Sequence, residues 1–217
     1  MRAPLGRHLA QSALVLAGTL LFGLGIQLQL FSGAGVDPLT MFEEGVGRRL
    51  GLPTGTITLS VNCVVLVFAL LLNRRRVWIG TIINVLVGPS VNFFAWAMDT
   101  LGMISPDTWP EKILFSLLGV FACGFGAAVY MLPDYGVGVI DVMMIYFSEK
   151  LHLPYAPVRI VMDTTSGVIG LFLGGTLGIG TVFGAFGIGI VLDYCHRWLR
   201  KSFGYRVPQG RDGVYQT

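Results

Sequence analysis

The sequence has few charged residues. Only 12% of its 217 residues are Asp, Glu, Lys or Arg, whereas soluble domains carry about 25%. The formal net charge of +3 is small, and the Lys and Arg residues fall between apolar runs instead of forming one patch. This distribution argues against a nucleic-acid-binding surface, and we expect no nucleic acid among the partners.

The patterns of catalytic and metal-binding sites are also lacking. The three cysteines lie singly inside apolar runs, and the three histidines lie at the ends of such runs. There is no spacing typical of a metal site, no Ser/His/Asp set and no pair of catalytic carboxylates. We therefore expect no enzyme, no cofactor and no bound metal.

Long apolar runs dominate what is present. Hydrophobic residues make up 53% of the chain, and a helix that crosses a bilayer needs about 20 of them. Six runs qualify: 10–31, 54–72, 77–98, 112–132, 155–173 and 177–198. The first run follows basic residues as in a signal peptide but lacks a cleavage site, so we expect it to be retained. The predicted fold class is all-α, a polytopic membrane protein with six transmembrane helices in a single domain, 1–217.

Basic residues fall mainly on one side of this topology. Eleven Lys and Arg residues lie on the side of the two termini, including a basic tail at 200–217, and three lie on the other side. Since cytoplasmic loops carry the excess of Lys and Arg, both termini are predicted to be cytoplasmic.

Short motifs recur at a nearly constant offset. LGLP at 50–53 returns as LHLP at 151–154, which is 101 residues later, and IGT at 79–81 returns at 179–181. These matches predict a duplication, with repeat 1 at about 10–98 and repeat 2 at about 111–199. Because each half holds three spans, we expect a 3+3 inverted-topology repeat, a plan used by many secondary transporters.

Each half also contains a Gly-rich break, at 32–38 and at 133–138, followed by a short helix. In the first, Asp37 is predicted to cap the helix and Pro38 to occupy its first position. An apolar stripe that begins at Leu39 indicates an amphipathic helix on the outer face. The charged side chains expected to face water are Glu43, Glu44, Arg48 and Arg49.

The segment GLGIQLQLFSGAGVDPLTMFEEGVGRRLGLPTGT, the RRR turn and the IGT run in each half resemble the YczE/YyaS/YitT family of bacterial integral membrane proteins, most closely its YczE members. The resemblance covers roughly 20 to 200. In this family a Gly-Pro-Trp-Asp-like segment stands where this chain has Asp37-Pro38-Leu39-Thr40, so Thr40 occupies the acidic position and Asp141 is its counterpart 101 residues later. The resemblance implies a multi-pass protein of the bacterial cell (inner) membrane and no particular function.

Polar residues inside the apolar runs mark the candidate site, because an ionisable side chain at the bilayer centre costs at least about 2.5 kcal/mol. Asp163 is near the middle of its run, and its counterpart in the other half is Asn62. Arg159 precedes Asp163 by four residues, so a structural ion pair competes with a role in the site. Asp141 either caps a helix or faces the site, and Gln29 is within reach of the first break. The candidate substrate- or ion-binding residues are Asp163, Asn62, Asp141, Thr40, Arg159 and Gln29.

Three further expectations concern packing. Gly88-Pro89 should kink the third span, and Asp193 should pair with His196 or Arg197. The spacing of Gly180 and Gly184 favours close helix contacts, either within the chain or in a homo-oligomer.

Two functions fit these features. The first is a small-solute transporter or exporter in the lipid bilayer, with a midplane site between the repeats and, as a further hypothesis, proton coupling through Asp163. The alternative is a non-transporting accessory membrane protein that assists a partner enzyme or biosynthetic complex. A polar cavity at Asp163 would favour transport, whereas a packed core with Asp163 held by Arg159 would favour the accessory role.

Overall fold

The computed structural model describes residues 5–133 and 135–203, and every regular element within these ranges is a helix. The predicted all-α class is therefore confirmed. Arg2, Arg206, Arg211 and the rest of the predicted tail beyond residue 203 lie outside the described residues. The elements are α1 (Leu5–Ser32), α2 (Pro38–Leu50), α3 (Thr54–Leu72), a 3-10 turn (Arg74–Arg76), α4 (Ile79–Asn84), α5 (Val87–Thr100), α6 (Trp109–Met131), α7 (Val139–Leu151), α8 (Tyr155–Leu173) and α9 (Ile179–Phe203).

Six stretches of the described chain are long and apolar enough to cross a membrane, as predicted. They are His8–Ser32, Thr54–Leu72, Ile79–Thr100, Trp109–Met131, Tyr155–Leu173 and Ile179–Ser202. Large apolar side chains project outward from these helices, and Phe172 is 79% exposed. A soluble protein would bury such groups, whereas a bilayer solvates them.

The third span is interrupted between α4 and α5. Pro89 has no N–H, and a proline ring clashes with the carbonyl four residues earlier, which here belongs to Val85. The regular helix accordingly stops at Asn84 and resumes at Val87. The disturbance predicted at Gly88-Pro89 is thus an interruption of the helix at residues 85–86, and it leaves Asn84 at a helix end inside the bundle.

The centre of the bundle is the contact between α1 and α6, which are antiparallel. A Cβ atom added to Gly18 would lie 2.4 Å from the Tyr130 nitrogen, and one added to Gly25 would lie 2.7 Å from the Gly119 carbonyl oxygen. Only glycine permits the two backbones to come this close. α5 then packs on α1, α9 packs on α6, and α3 and α8 lie at the periphery against α5 and α2 respectively.

Each Gly-rich break is held by the other half of the chain. The Gly180 N–H donates to the Ala34 carbonyl at 2.8 Å, and the Gly80 N–H donates to the Tyr135 carbonyl at 3.0 Å. Both donors belong to the IGT motifs found in the sequence, and Ala34 and Tyr135 are 101 residues apart. The breaks also contain Gly35 and Gly136, whose φ angles of 105° and 140° favour glycine.

Helix boundaries recur at the offset seen in the sequence. α2 and α7 begin at residues 38 and 139, and α3 and α8 begin at 54 and 155, so both differences are 101 residues. α2 packs mainly on α8, and α7 packs mainly on α3. These correspondences support the predicted duplication, while its inverted orientation in a membrane stays a prediction.

The orientation predicted for α2 is wrong, although the helix itself and its start are confirmed. Asp37 caps the helix by accepting from the Thr40 N–H, and Pro38 is at its start. Glu43 and Glu44, however, are only 2% and 8% exposed, while the apolar residue Leu50 is 63% exposed. The reason is the solvent: the surroundings of a membrane protein are apolar, so the polar face of the helix turns inward.

The charged end of α2 does reach the surface. Arg48 and Arg49 are exposed, as predicted. Arg48 donates to the Gly174 carbonyl at 2.9 Å, and Arg49 donates to the Leu173 carbonyl at 3.3 Å. The end of α2 is thereby tied to the connection between α8 and α9.

Alanine substitutions should separate the helix propensity of glycine from its packing role. Gly18→Ala should lower the free energy of unfolding by about 1–3 kcal/mol, because the added methyl group overpacks the α1–α6 contact. Gly189→Ala is the matched control, since nothing lies within 4 Å of a Cβ atom added there, and it should be neutral or slightly stabilising. Thermal unfolding of the purified protein measures both. Equal effects of the two substitutions would contradict the packing role of Gly18.

Candidate functional site

A cavity of about 140 Å³ with both polar and apolar walls lies between the beginnings of α2 and α7 and the helices around them. Asn62 and Asp163, each the ninth residue of a nineteen-residue helix, place it at the mid-depth of α3 and α8. Its apolar wall includes Phe22, Ile26 and Ile188. The polar side chains of the wall are Asp37, Thr40, Glu43, Thr58, Asn62, Asn84, Tyr130, Asp141, Tyr155, Arg159 and Asp163.

Much of the wall consists of residues that correspond at the 101-residue offset. Positions that match between the two halves face the same cavity, as expected if it lies between two related segments. The matched pairs are Ile26 and Ala127, Asp37 and Gly138, Pro38 and Val139, Leu39 and Ile140, Thr40 and Asp141, Glu43 and Met144, Thr58 and Arg159, Asn62 and Asp163, Asn84 and Ala185, and Val87 and Ile188.

Two helix N-termini point into the cavity. At the start of α2, Asp37 Oδ1 accepts from the Thr40 N–H at 3.2 Å. At the start of α7, the Val139 N–H donates to Asn84 Oδ1 at 3.3 Å, and Asp141 lies in the first turn. The positive ends of both helix dipoles therefore face the cavity, and each has an aspartate beside it.

Arg159 and Asp163 form an ion pair at one side of the cavity. Arg159 Nε and Asp163 Oδ2 are 3.5 Å apart, and the two side chains are 38% and 27% exposed. Strong charge-assisted hydrogen bonds are about 2.7–2.9 Å long, so this pair is loose. Asp141, whose Oδ1 accepts from the Tyr155 hydroxyl at 2.8 Å, also lies within electrostatic range of Arg159. The guanidinium therefore pairs with Asp163 and also feels the negative charge of Asp141.

Glu43 is the most deeply buried acid of the site. The Thr58 hydroxyl donates to Glu43 Oε2 at 2.6 Å. Burial raises the pKa of the Glu43 carboxyl to about 8, although the hydrogen bond from Thr58 opposes the shift. Burial likewise raises the pKa of Asp37, against the hydrogen bonds from Thr40. Both acids lie outside the six spanning helices, and Glu43 favours the protonated form near neutral pH.

The structure brings together five of the six residues predicted for the site. Asp163, Asn62, Asp141, Thr40 and Arg159 all line the cavity. Their roles in binding stay predictions.

Gln29, the sixth candidate, lies elsewhere. Its side chain is fully buried between α1 and α6, where Nε2 donates to Cys123 Sγ at 3.4 Å. The predicted pairing of Asp193 is confirmed, with Arg197 as the partner. Gly180 and Gly184 pack against Gly35 and Asp37 within the chain.

Six polar residues of the wall were not among the predicted site residues: Asp37, Glu43, Thr58, Asn84, Tyr130 and Tyr155. Thr58 precedes Asn62 by four residues and Glu43 follows Thr40 by three, so helical spacing could have linked both to the site. For Asn84 the available signal in the sequence is its position five residues before Pro89, next to the expected helix break. Asp37 was interpreted only as a helix cap.

Comparison with known proteins gives a family and two relatives. The model of a family of unknown function, DUF6198, matches residues 9–197. An uncharacterised protein of Haemophilus influenzae is 28% identical over 174 residues, which cover 80% of this chain and 78% of the relative. The uncharacterised Bacillus subtilis protein YyaS is 22% identical over 166 residues, which cover 76% of this chain and 82% of the relative. No solved structure matches. The likeness to YyaS confirms the resemblance found in the sequence.

The buried state of Glu43 predicts a dependence of stability on pH. Its pKa is about 8 in the folded protein and 4.5 ordinarily, so between these values the folded state holds a proton that the unfolded state has released. The free energy of unfolding should therefore fall as the pH rises through this window, by up to about 1.4 kcal/mol per unit from this group.

Glu43→Gln removes this contribution, so its melting temperature should decline less than that of the wild type between about pH 5 and pH 8. Asp193→Asn, which changes an exposed ion pair, serves as the control and should keep the decline of the wild type. An unaltered decline in Glu43→Gln would show that Glu43 is not protonated by burial.

Proposed function

Because the chain belongs to DUF6198, a family of unknown function, we propose its activity from its own structure: it is a small-solute transporter or exporter. The observation that carries the proposal is the polar cavity at the mid-depth of α3 and α8, lined by matched residues of two halves. Secondary transporters bind their substrates in such a place, between repeats and beside the N-termini of broken helices.

Two networks of polar contacts provide closures for such a cavity. At the far end of α2, Glu44 accepts from the Thr176 N–H at 2.7 Å and from Arg48 at 2.6 Å. At the far end of α7, Glu149 and Arg76 form an ion pair at 2.5 Å. In the predicted topology the first network closes the outer side and the second closes the cytoplasmic side, and each would break in turn during alternating access.

The location and orientation belong to the same proposal. The distribution of Lys and Arg supports a bacterial inner membrane protein with both termini in the cytoplasm. The Arg74–Arg76 turn would then meet the cytoplasmic headgroups. We assign the chain no catalytic role.

The accessory role remains the second candidate, since one contact favours it. The Arg159–Asp163 ion pair would neutralise a buried charge and make Asp163 structural. The length of this contact and the partial exposure of both groups to the cavity support transport instead.

Access of a cavity residue from both sides of the membrane is the first test. The background is a cysteine-free chain carrying Cys63→Ser, Cys123→Ala and Cys195→Ala. In this background Ala127→Cys lies in the cavity wall, and a membrane-impermeant thiol reagent should modify it from either face of oriented vesicles. The matched control is Ala69→Cys, which is fully buried against Val142 and Met143 away from the cavity and should stay unmodified. Modification of Ala127→Cys from one face only would argue against alternating access.

Proton coupling through Asp163 is the second test. Solutes chosen by a thermal-shift screen are offered to proteoliposomes with and without a pH gradient. The gradient should drive uptake by the wild type, because a carboxyl group in the membrane interior can carry the coupled proton. Asp163→Asn should lose this dependence, whereas Asp193→Asn should retain it. The coupling hypothesis fails if Asp163→Asn transports with the same pH dependence as the wild type.

A further inference from the structure

The cavity carries an excess of acidic groups. Among the described residues of its wall are four carboxyl groups and one guanidinium. The guanidinium of Arg159 pairs with Asp163 and also feels the negative charge of Asp141. With Glu43 protonated near neutral pH, a solute that enters this cavity still meets more carboxylates than guanidinium groups, which favours a cation over an anion.

An unsatisfied amide provides a second and independent observation. Asn84 is 7% exposed, and its Oδ1 accepts from the Val139 N–H. Its Nδ2 is buried and has no partner among the described residues, although a buried donor without a partner costs about 1–3 kcal/mol. Asn62, which is 5% exposed, also lines the cavity. The unpaired Nδ2 donor of Asn84 therefore indicates a ligand that carries a hydrogen-bond acceptor.

The carboxylate of Asp141 and the amide group of Asn84 lie beside the same point, at the start of α7. A Cβ atom added to Gly138 would lie 2.7 Å from Asp141 Oδ2, 3.2 Å from the Tyr130 hydroxyl and 3.5 Å from Asn84 Oδ1. One small molecule can therefore contact the carboxylate of Asp141 and the amide of Asn84 together. The rings of Tyr130 and Tyr155 in the same wall also attract ammonium ions.

The spacing of the carboxylates favours an organic cation over a metal ion. Within the described part of the chain, no three His, Cys, Asp or Glu side chains are close enough together to hold one metal ion. The acids are spread around the cavity, which suits the several N–H groups of an ammonium ion attached to a short chain. The volume of about 140 Å³ is below the 300–1,000 Å³ of drug-sized sites.

We propose that the cavity binds a small primary amine that also carries a hydrogen-bond acceptor such as a hydroxyl group. Its ammonium group donates to Asp141 and Asp163, and its acceptor receives the Asn84 Nδ2–H. The inference rests on the proposed transport function for its biological meaning, since it names the class of solute carried. Binding itself can be measured without transport.

The test uses the purified full chain, with ethanolamine as the probe, in thermal-shift titrations at constant ionic strength. A ligand that binds only the folded state raises the melting temperature in a saturable way. Ethanolamine should do so, whereas glycerol, sodium chloride and sodium acetate should not. Choline, which has no N–H group, should bind at least about tenfold more weakly than ethanolamine.

Substitutions then assign the contacts. Asp141→Asn and Asn84→Ala should each weaken ethanolamine binding at least about tenfold, measured against the melting temperature of each variant alone. Asp163→Asn is the second carboxylate variant if Asp141→Asn does not fold. Asp193→Asn changes an exposed ion pair at a residue that does not line the cavity, and it should bind like the wild type.

Several results would overturn the inference. One is that acetate or sodium raises the melting temperature saturably and as much as ethanolamine, or that choline binds as tightly as ethanolamine. Another is that ethanolamine gives no saturable rise in the melting temperature up to about 100 mM. The last is that the folded carboxylate variant binds ethanolamine like the wild type. Ethanolamine binding without two-sided access of Ala127→Cys would reject transport and keep the ligand class. Two-sided access with an anionic ligand would reject the ligand class and keep transport.

Discussion

The close contact of α1 and α6 is the constraint on which the rest of the structure depends. Their backbones meet at glycines in both helices, among them Gly18, Gly25, Gly119 and Gly126. In a bilayer the hydrophobic effect gives little drive for helices to associate, so close packing and polar contacts hold the bundle together. Once these two helices are fixed, α5 and α9 pack on their outer sides. The Gly-rich breaks that follow α1 and α6 then reach the middle of the protein.

The polar interior follows from where those breaks end. A backbone that stops being helical inside a membrane is tolerated only where protein or a water-filled cavity satisfies it. Here the N–H groups of Gly80 and Gly180 donate to backbone carbonyls in the two breaks. The short helices α2 and α7, which follow the breaks, begin at the cavity. The polar side chains of their first turns therefore face inward, which concentrates charge in the centre of a protein whose outer surface is apolar.

The sequence predicted the six spans, the two breaks, the duplication offset and five wall residues, because each depends on local composition or on spacing along one helix. The predictions from sequence failed where the surroundings of a helix determine which of its residues are buried. The helix carrying Glu43 and Glu44 has the amphipathic pattern of a surface helix, and only the bilayer as solvent reverses which face is buried. Gln29 has the chemistry of a site residue, but the rotation of α1 turns it to α6. Asn84 became part of the wall because Pro89 ends a helix next to it.

The matched residues of the cavity are not identical, and this difference affects the orientation that a molecule would take in the cavity. Two identical chains related by a two-fold axis must present the same residue twice. A single chain that carries both segments is free of this requirement, and here Thr40, Thr58 and Asn62 stand opposite Asp141, Arg159 and Asp163. At these positions the first half offers neutral groups and the second half offers charged ones. The cavity is therefore directional, because a molecule with unlike ends would meet different groups in its two possible orientations.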